Sequence, residues 1–229
     1  MNEGAKERVG AAAAQLVQPG MRLGLGSGST AQAFIAALGQ RVAEGLKLAP
    51  AIATSLASAN LAAAVGIPLA DPLATTGAER LDLAIDGADE IDPNGRLIKG
   101  GGASLLREKI VAQMADRFVV IADDSKRVPQ LGQFPLPVEI VPFGIAATRA
   151  RLAALGAKPQ LRVAGAAPVV TDNGNWLLDL PFGQIDDPER LSTALHDVPA
   201  VVEHGLFLTE TNEALIAGEE GIERLTFRQ

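Results

Sequence analysis

From Met21 to Lys126 the chain repeats one pattern: a short apolar run, a cluster of glycine, hydroxyl or charged residues, then a stretch with helical spacing. Met21 to Gly26 runs into Gly26-Ser27-Gly28-Ser29-Thr30 and a helical stretch from Ala31 to about Glu44. Leu48 to Ser55 is followed by a helical stretch from Ala57 to Val65 that Gly66 stops. Leu81 to Asp86 runs into Gly87-Ala88-Asp89-Glu90, and Arg117 to Ala122 into Asp123-Asp124-Ser125-Lys126. Apolar runs bounded by such punctuation read as buried strands. Strands alternating with helices demand a mostly parallel sheet with right-handed crossovers and helices on both faces, a Rossmann-like α/β domain. In open sheets of this kind ligands bind beyond the carboxyl ends of the strands, which is where each polar cluster falls.

The texture changes near Leu131, where Phe134-Pro135-Leu136-Pro137 reads as a linker. Strands at 138–141, 160–163, 168–171, 176–180 and 200–203, with helices at 145–155 and after Asp187-Pro188-Glu189, come close to a split β-α-β-β-α-β order with one extra hairpin strand. The expected organisation is a catalytic domain of residues 1–130 and 206–229, with a small ferredoxin-like α+β domain inserted at 131–205. The tail, Glu213 to Ala217 and Ile222 to Phe227, reads as a hairpin that rejoins the first domain.

Composition removes several function classes. The 229 residues contain no cysteine, so disulfides, thiolate metal sites and a cysteine nucleophile are excluded. With 20 Lys plus Arg against 27 Asp plus Glu and no basic cluster, nucleic acid is not an expected partner. No apolar run reaches the ~18 residues of a membrane span and the N-terminus lacks a signal-peptide pattern, so the cytoplasm is the expected location. His196 and His204 fall in the second domain with no second ligand at metal spacing and are expected to be structural.

Four clusters can carry chemistry, the smallest being Asp123-Asp124-Ser125-Lys126, whose lysine fits a phosphate contact or a plainly solvated loop. Leu97 to Lys109, LIKGGGASLLREK, joins a strand end to Lys99, to Gly100, Gly101 and Gly102, and to a helix that Ser104 can cap and that carries Glu108 near its start. Glycines allow positive φ and close approach of a ligand to the backbone, and a helix start favours anions. The same stretch fits a plain strand-to-helix turn with Glu108 placed where the helix dipole favours a carboxylate. GLGSGST at 24–30 lacks the third glycine of a dinucleotide fingerprint and the lysine of a P-loop. Its free amides and the hydroxyls of Ser27, Ser29 and Thr30 form a cradle for a phosphate or for sugar hydroxyls, or a capped turn. DGADEID at 86–92 crowds Asp86, Asp89, Glu90 and Asp92, which raises at least one pKa or makes a solvated acidic loop; EF-hand spacing is absent.

Taken in order, GLGSGST, DGADEID, IKGGGASLLREKI, IADDSK, TDNGNW and EHGLF resemble the type A ribose-5-phosphate isomerases over nearly the whole chain. The resemblance implies a Rossmann-like domain with an inserted lid. It implies interconversion of ribose 5-phosphate and ribulose 5-phosphate through an enediolate, in the non-oxidative pentose phosphate pathway, with no metal or other cofactor, in a homodimer. It places substrate contacts at Ser27, Gly28, Ser29, Thr30, Asp86, Gly87, Ala88, Asp89, Lys99, Gly100, Gly101, Gly102 and Lys126, with Glu108 as the base that moves the proton. Lys6 aligns with a lysine near the family's N-terminus. Ser27 stands where the family often has threonine and keeps the hydroxyl. The chemistry asks for such a set: one carboxylate over the C1–C2 edge, donors aimed at the enediolate oxygens from Lys99 and the loop amides, and Asp86 and Asp89 for hydroxyl protons and ring opening.

Three other readings are open to a chain of this pattern. A non-catalytic sugar-phosphate sensor would need an attached DNA-binding module, and about twenty residues before the first strand are too few. An amino-sugar phosphate deaminase would want a histidine in the main domain. A coenzyme A transferase rests on fold analogy alone.

Overall fold

The apolar runs pair as the alternation requires. The computed structural model describes residues 3–72 and 80–227. In chain order the elements are α1 (Glu3–Ala14), β1 (Leu23–Leu25), α2 (Gly28–Ala43), β2 (Ile52–Ala53), α3 (Leu56–Ala64), β3 (Leu83–Gly87), β4 (Glu90–Ile91), β5 (Leu97–Ile98), α4 (Leu105–Met114) and β6 (Phe118–Asp123). A short 3-10 turn at Asp124–Lys126 leads to β7 (Leu136–Ile140), α5 (Ile145–Ala153), β8 (Gln160–Leu161), β9 (Val163–Ala164) and β10 (Ala167–Pro168). The chain ends with β11 (Trp176–Leu180), α6 (Pro188–His196), β12 (Val201–His204), β13 (Leu206–Phe207), β14 (Glu213–Ala217) and β15 (Ile222–Thr226). Contacts divide it into two compact units.

The first unit comprises Met1–Ala88, Arg107–Lys126 and Glu210–Gln229. Its sheet has the order β15-β14-β6-β3-β1-β2. All neighbours are parallel except β15, which forms an antiparallel hairpin with β14, so the tail rejoins this domain as expected. The chain goes from β1 outward to β2 and then back past β1 to β3. The order therefore reverses between β1 and β3, and a crevice opens beyond the carboxyl ends of strands at such a reversal.

Side-chain alternation sorts the two faces. Leu23, Leu25, Leu83, Ile85, Val119, Ile121, Leu215 and Ala217 share one core with Val9 and Ala13 of α1 and Phe34, Ile35 and Leu38 of α2. Gly24 and Ala84, in register, turn the other way, where Val111 of α4 stands 2.5 Å from the position a Gly24 Cβ would take. Gly10 likewise lets α1 cross α2, since its Cβ would lie 2.7 Å from the Ala33 carbonyl carbon. Each fully buried Leu, Ile or Phe contributes roughly 1.5–3 kcal/mol. An exposed pair such as Arg80–Asp116 contributes about 0–1 kcal/mol, so packing holds this unit.

One buried carboxylate does matter to its pH stability. Burial would raise the pKa of Glu213, but hydrogen bonds from Arg117 and Arg224 outweigh it and hold the group below its ordinary value of 4.5. A depressed folded-state pKa stabilises the fold above the ordinary value, and that contribution is lost as pH falls through the lowered one. Between pH 5 and pH 3 the urea midpoint of the wild type should therefore fall further than that of Glu213→Gln. Equal falls would show that the two arginines do not stabilise the ionised form.

The second unit comprises Asp89–Leu106 and Arg127–Thr209. Its main sheet, β12-β7-β11-β8, is antiparallel throughout, which is the ferredoxin-like order for a β-α-β-β-α-β chain; the extra strand expected at 168–171 beside 176–180 is reduced to a single Val170–Trp176 bridge, and β10 pairs with β9 instead. Leu136, Val138, Ile140, Leu178 and Leu180 pack on Leu152 of α5 and Leu195 of α6.

Residues 89–106, expected with the first domain, gather with this unit instead. β4 and β5 pair with each other and β5 with β13, a three-stranded sheet with no counterpart in the sequence reading. Glu90 accepts the N–H groups of Gly132 and Phe134. Its burial pushes its pKa up, opposed by those N–H donors. Two-residue strands carry no readable period, and β13, which pairs Leu206 with Ile98, comes from a distant part of the chain.

Elsewhere the differences are at the ends of elements. The expected strand 48–55 shrinks to Ile52–Ala53, consistent with the missing N–H of Pro50. α2 begins at Gly28, not Ala31, which puts Ser29 and Thr30 into its first turn.

Candidate active site

In the first unit, the ends of β1, β2 and β3 are tied together by short polar bonds. The Gly26 N–H donates to the Ile85 carbonyl at 2.9 Å, and a Cβ on Gly26 would meet Asp86 Oδ1 at 2.2 Å. Only glycine fits there. Asp86 is 2% exposed, and its Oδ1 accepts the N–H groups of Ser27 at 2.9 Å and Gly87 at 2.7 Å. The Ser27 hydroxyl is 2.6 Å from that of Thr54, and the Ser58 hydroxyl donates to the Gly26 carbonyl at 2.7 Å.

This bracing sets the start of α2. Gly28 has φ +82°, a conformation that favours glycine, and Gly28 and Ser29 are exposed while Thr30 is buried. Ser29, Gln32 and Lys6 line one groove of about 510 Å³ along α1 and α2, together with Glu3 and Glu7. The first N–H groups of a helix lack intrahelical acceptors, so this end attracts anions, and Lys6 adds a cation to the same groove. Glu108 sits in the first turn of α4 and is 4% exposed. Lys126 is half-buried in the turn after β6, which Asp123 Oδ1 braces by accepting the Ser125 N–H at 2.9 Å.

The second unit holds the other expected residues. The Asp89 N–H donates to the Ile98 carbonyl at 2.8 Å, and its Oδ2 accepts the Gly101 N–H at 2.7 Å. Lys99 is 2% exposed; its N–H donates to the Gly205 carbonyl at 2.9 Å and its Nζ stands 5.5 Å from the centre of the Phe207 ring.

Of the three glycines only Gly100 has positive φ, +104°, and the next left-handed residue is Ala103 at +65°. Gly101 is required for a different reason: its Cβ would lie 2.5 Å from Asp89 Oδ1. The Ser104 hydroxyl, expected to cap α4, turns its proton back to the Gly102 carbonyl at 3.5 Å.

The crowded acidic run resolves into two kinds of carboxylate. Glu90 binds backbone N–H groups, and Asp92 accepts those of Asn94 and Arg96 and pairs with the Arg96 side chain at 2.7 Å. These two hold the fold. Asp86 in the first unit and Asp89 in the second bind only backbone N–H groups among the bonds described above.

The histidines are less isolated than the sequence implied. Ligand atoms of His196, Glu203 and His204 lie within 4.8 Å of one another. His204 Nδ1, however, accepts the Leu206 N–H, so the ring proton sits on Nε2, 2.9 Å from the Ser192 hydroxyl. A protonated nitrogen has no lone pair for a cation, and the cluster reads as a brace between α6 and β12.

One contributor had no signal in the sequence. Arg162 donates through Nη1 to the carbonyls of Gly100, at 2.8 Å, and Gly101, at 3.2 Å, while Asp179 holds its Nε and Nη2. Sixty-two positions separate Arg162 from Gly100, and no motif joins them.

The chain is similar to known proteins over most of its length. Residues 50–221 match the family model for ribose 5-phosphate isomerase A (phosphoriboisomerase A). The ribose-5-phosphate isomerase A of Bradyrhizobium diazoefficiens is 48% identical over 228 residues, covering 95% of this chain and 93% of that protein. The structure of ribose 5-phosphate isomerase A from Methanocaldococcus jannaschii superposes with a TM-score of 0.91 at 39% identity, over 99% of this chain and 100% of that one. A D-ribose-5-phosphate isomerase in complex with phospho-erythronic acid superposes at 0.92 with 36% identity, again over 99% and 100%. On sequence and fold alike, this chain belongs to the ribose 5-phosphate isomerase A family.

Proposed function

We propose that the chain interconverts D-ribose 5-phosphate and D-ribulose 5-phosphate, with Glu108 moving the proton between C2 and C1. The observation that carries this is a carboxylate 4% exposed in the first turn of a helix that follows the Lys99–Gly102 loop without a break. Removing the C2 proton of the aldose leaves charge on the oxygens of C1 and C2, and returning the proton to C1 gives the ketose. Lys99 and the loop amides supply the donors those oxygens need, fixed before the charge develops.

Asp86, held by two N–H groups, and Asp89, held by Gly101, pass hydroxyl protons and open the furanose ring. The phosphate is taken by the start of α2, with Gly28, Ser29 and Thr30, and by Lys126. Lys6 joins them through its groove with Ser29. Binding the distal phosphate orients the reacting carbons, converting remote binding energy into rate. The phospho-erythronic acid bound by the structural relative fits this reading, because a carboxylate beside a hydroxyl-bearing carbon resembles the two-oxygen end of an enediolate.

The reaction needs no metal or cofactor and belongs to the non-oxidative pentose phosphate pathway in the cytoplasm. Among the described residues no helix is long and apolar enough to cross a membrane. The working form is a homodimer; exposed apolar side chains such as Leu56 and Phe143 are candidates for what it covers. The readings as sensor, deaminase or transferase have no feature in their favour, and both histidines lie outside the first unit. Protein stripped with a chelator should convert ribose 5-phosphate to ribulose 5-phosphate at the rate of untreated protein. Absence of the ketose, or its dependence on added metal, would overturn the reading.

A further inference from the structure

We propose that Arg162, oriented by Asp179, is a positioning residue for this reaction: it fixes the Gly100–Gly101 peptide so that the Gly101 N–H holds Asp89. The inference rests on the function proposed above and extends it to two residues with no expected role.

Three consecutive glycines form the least restrained kind of backbone, and a loop of them left alone samples many orientations of its peptide planes. Here one plane is held from both sides. The Gly100 carbonyl accepts from Arg162 Nη1 at 2.8 Å, and the N–H of the same peptide, on Gly101, donates to Asp89 Oδ2 at 2.7 Å. In a planar trans peptide those two groups point in opposite directions, so pinning the carbonyl aims the N–H. The Gly101 carbonyl, 3.2 Å from the same Nη1, fixes the next plane in the same way and with it the direction of the Gly102 N–H.

The clamp needs a guanidinium. Nε and Nη2 engage the two oxygens of Asp179 in the forked arrangement a carboxylate matches, which leaves Nη1 for the two carbonyls. An ammonium has no such geometry, so lysine is not a conservative replacement. A cation on the carbonyl also polarises the peptide and strengthens the Gly101 N–H as a donor to Asp89. Both side chains are largely covered, at 16% and 23% exposure, so solvent competes little for these bonds.

The test compares wild type with Arg162→Ala, Arg162→Lys and Asp179→Asn in conversion of ribose 5-phosphate, with and without added guanidinium chloride. A misplacement of about 1 Å at a reacting group costs on the order of 10²-fold. Arg162→Ala should therefore lose roughly that factor in kcat with KM within about threefold, and millimolar guanidinium should restore about tenfold of it. Arg162→Lys should be nearly as slow as the alanine variant. Asp179→Asn, which keeps the volume of the partner, should lose about tenfold in kcat and serves as the deciding variant if Arg162→Ala does not fold. Turnover of either variant within threefold of wild type, a loss confined to KM, or no recovery with guanidinium would sink the proposal while active wild-type protein leaves the isomerase reading standing. An inactive wild type would remove both.

Discussion

Replacing Glu108 by glutamine should leave the affinity for ribose 5-phosphate within about threefold of wild type and lower kcat by roughly 10³- to 10⁴-fold. Glutamine keeps the volume and one acceptor of the side chain, so a site that uses Glu108 only to shape the pocket would hardly notice the change. A site that uses it to take a proton from C2 and return it to C1 loses the step itself. The group is 4% exposed, so bulk water has little access to stand in as the base. Two measurements check this: steady-state kinetics, and incorporation of solvent deuterium into the sugar, which should vanish together with turnover. A variant that turns over near the wild-type rate would take Glu108 out of the mechanism.

The second large effect is expected at Lys99. Lys99→Met keeps the length of the stem and its packing near Phe207 while removing the charge. In the proposed mechanism the ammonium meets oxygens that carry partial charge in the bound sugar and full charge in the enediolate, so both constants should change. A donor aimed at developing negative charge is worth roughly 10²- to 10³-fold in kcat, and KM should rise several-fold as well. Lys99→Arg should recover little, since Lys99 is 2% exposed and a planar guanidinium is bulkier than an ammonium. If Lys99→Met kept both constants, the lysine would be a structural cation and the loop amides alone would carry the enediolate oxygens.

These two side chains stand out in the sequence because they sit inside a short segment whose meaning is local. A strand end, three glycines and the first turn of a helix fall within thirteen residues, and each step from one to the next is governed by backbone geometry. Asp86 and Ser27 were legible for a related reason: both close an apolar run, and apolar runs in a parallel sheet end on the same edge. Which of the four carboxylates in DGADEID are available was not legible. Only the folded chain shows that Asp92 is taken up by Arg96 and by the turn it braces, and Glu90 by N–H groups some forty positions on.

The alternation of periods by itself determined a parallel sheet with helices on both faces and the split β-α-β-β-α-β pattern of the second unit, while the strand order that reverses between β1 and β3 came only from the folded chain. The sheet and the split pattern follow from chirality and burial, which act over a few residues at a time. Tertiary structure alone decided that residues 89–106 gather with the second unit, that β4, β5 and β13 form a sheet, and that Arg162 and Asp179 grip the glycine loop. Two-residue strands and an arginine sixty-two positions from its partner leave no periodic trace. Their pairing is selected by the free energy of closing long loops against the bonds gained, a sum that exists only once the whole chain has folded.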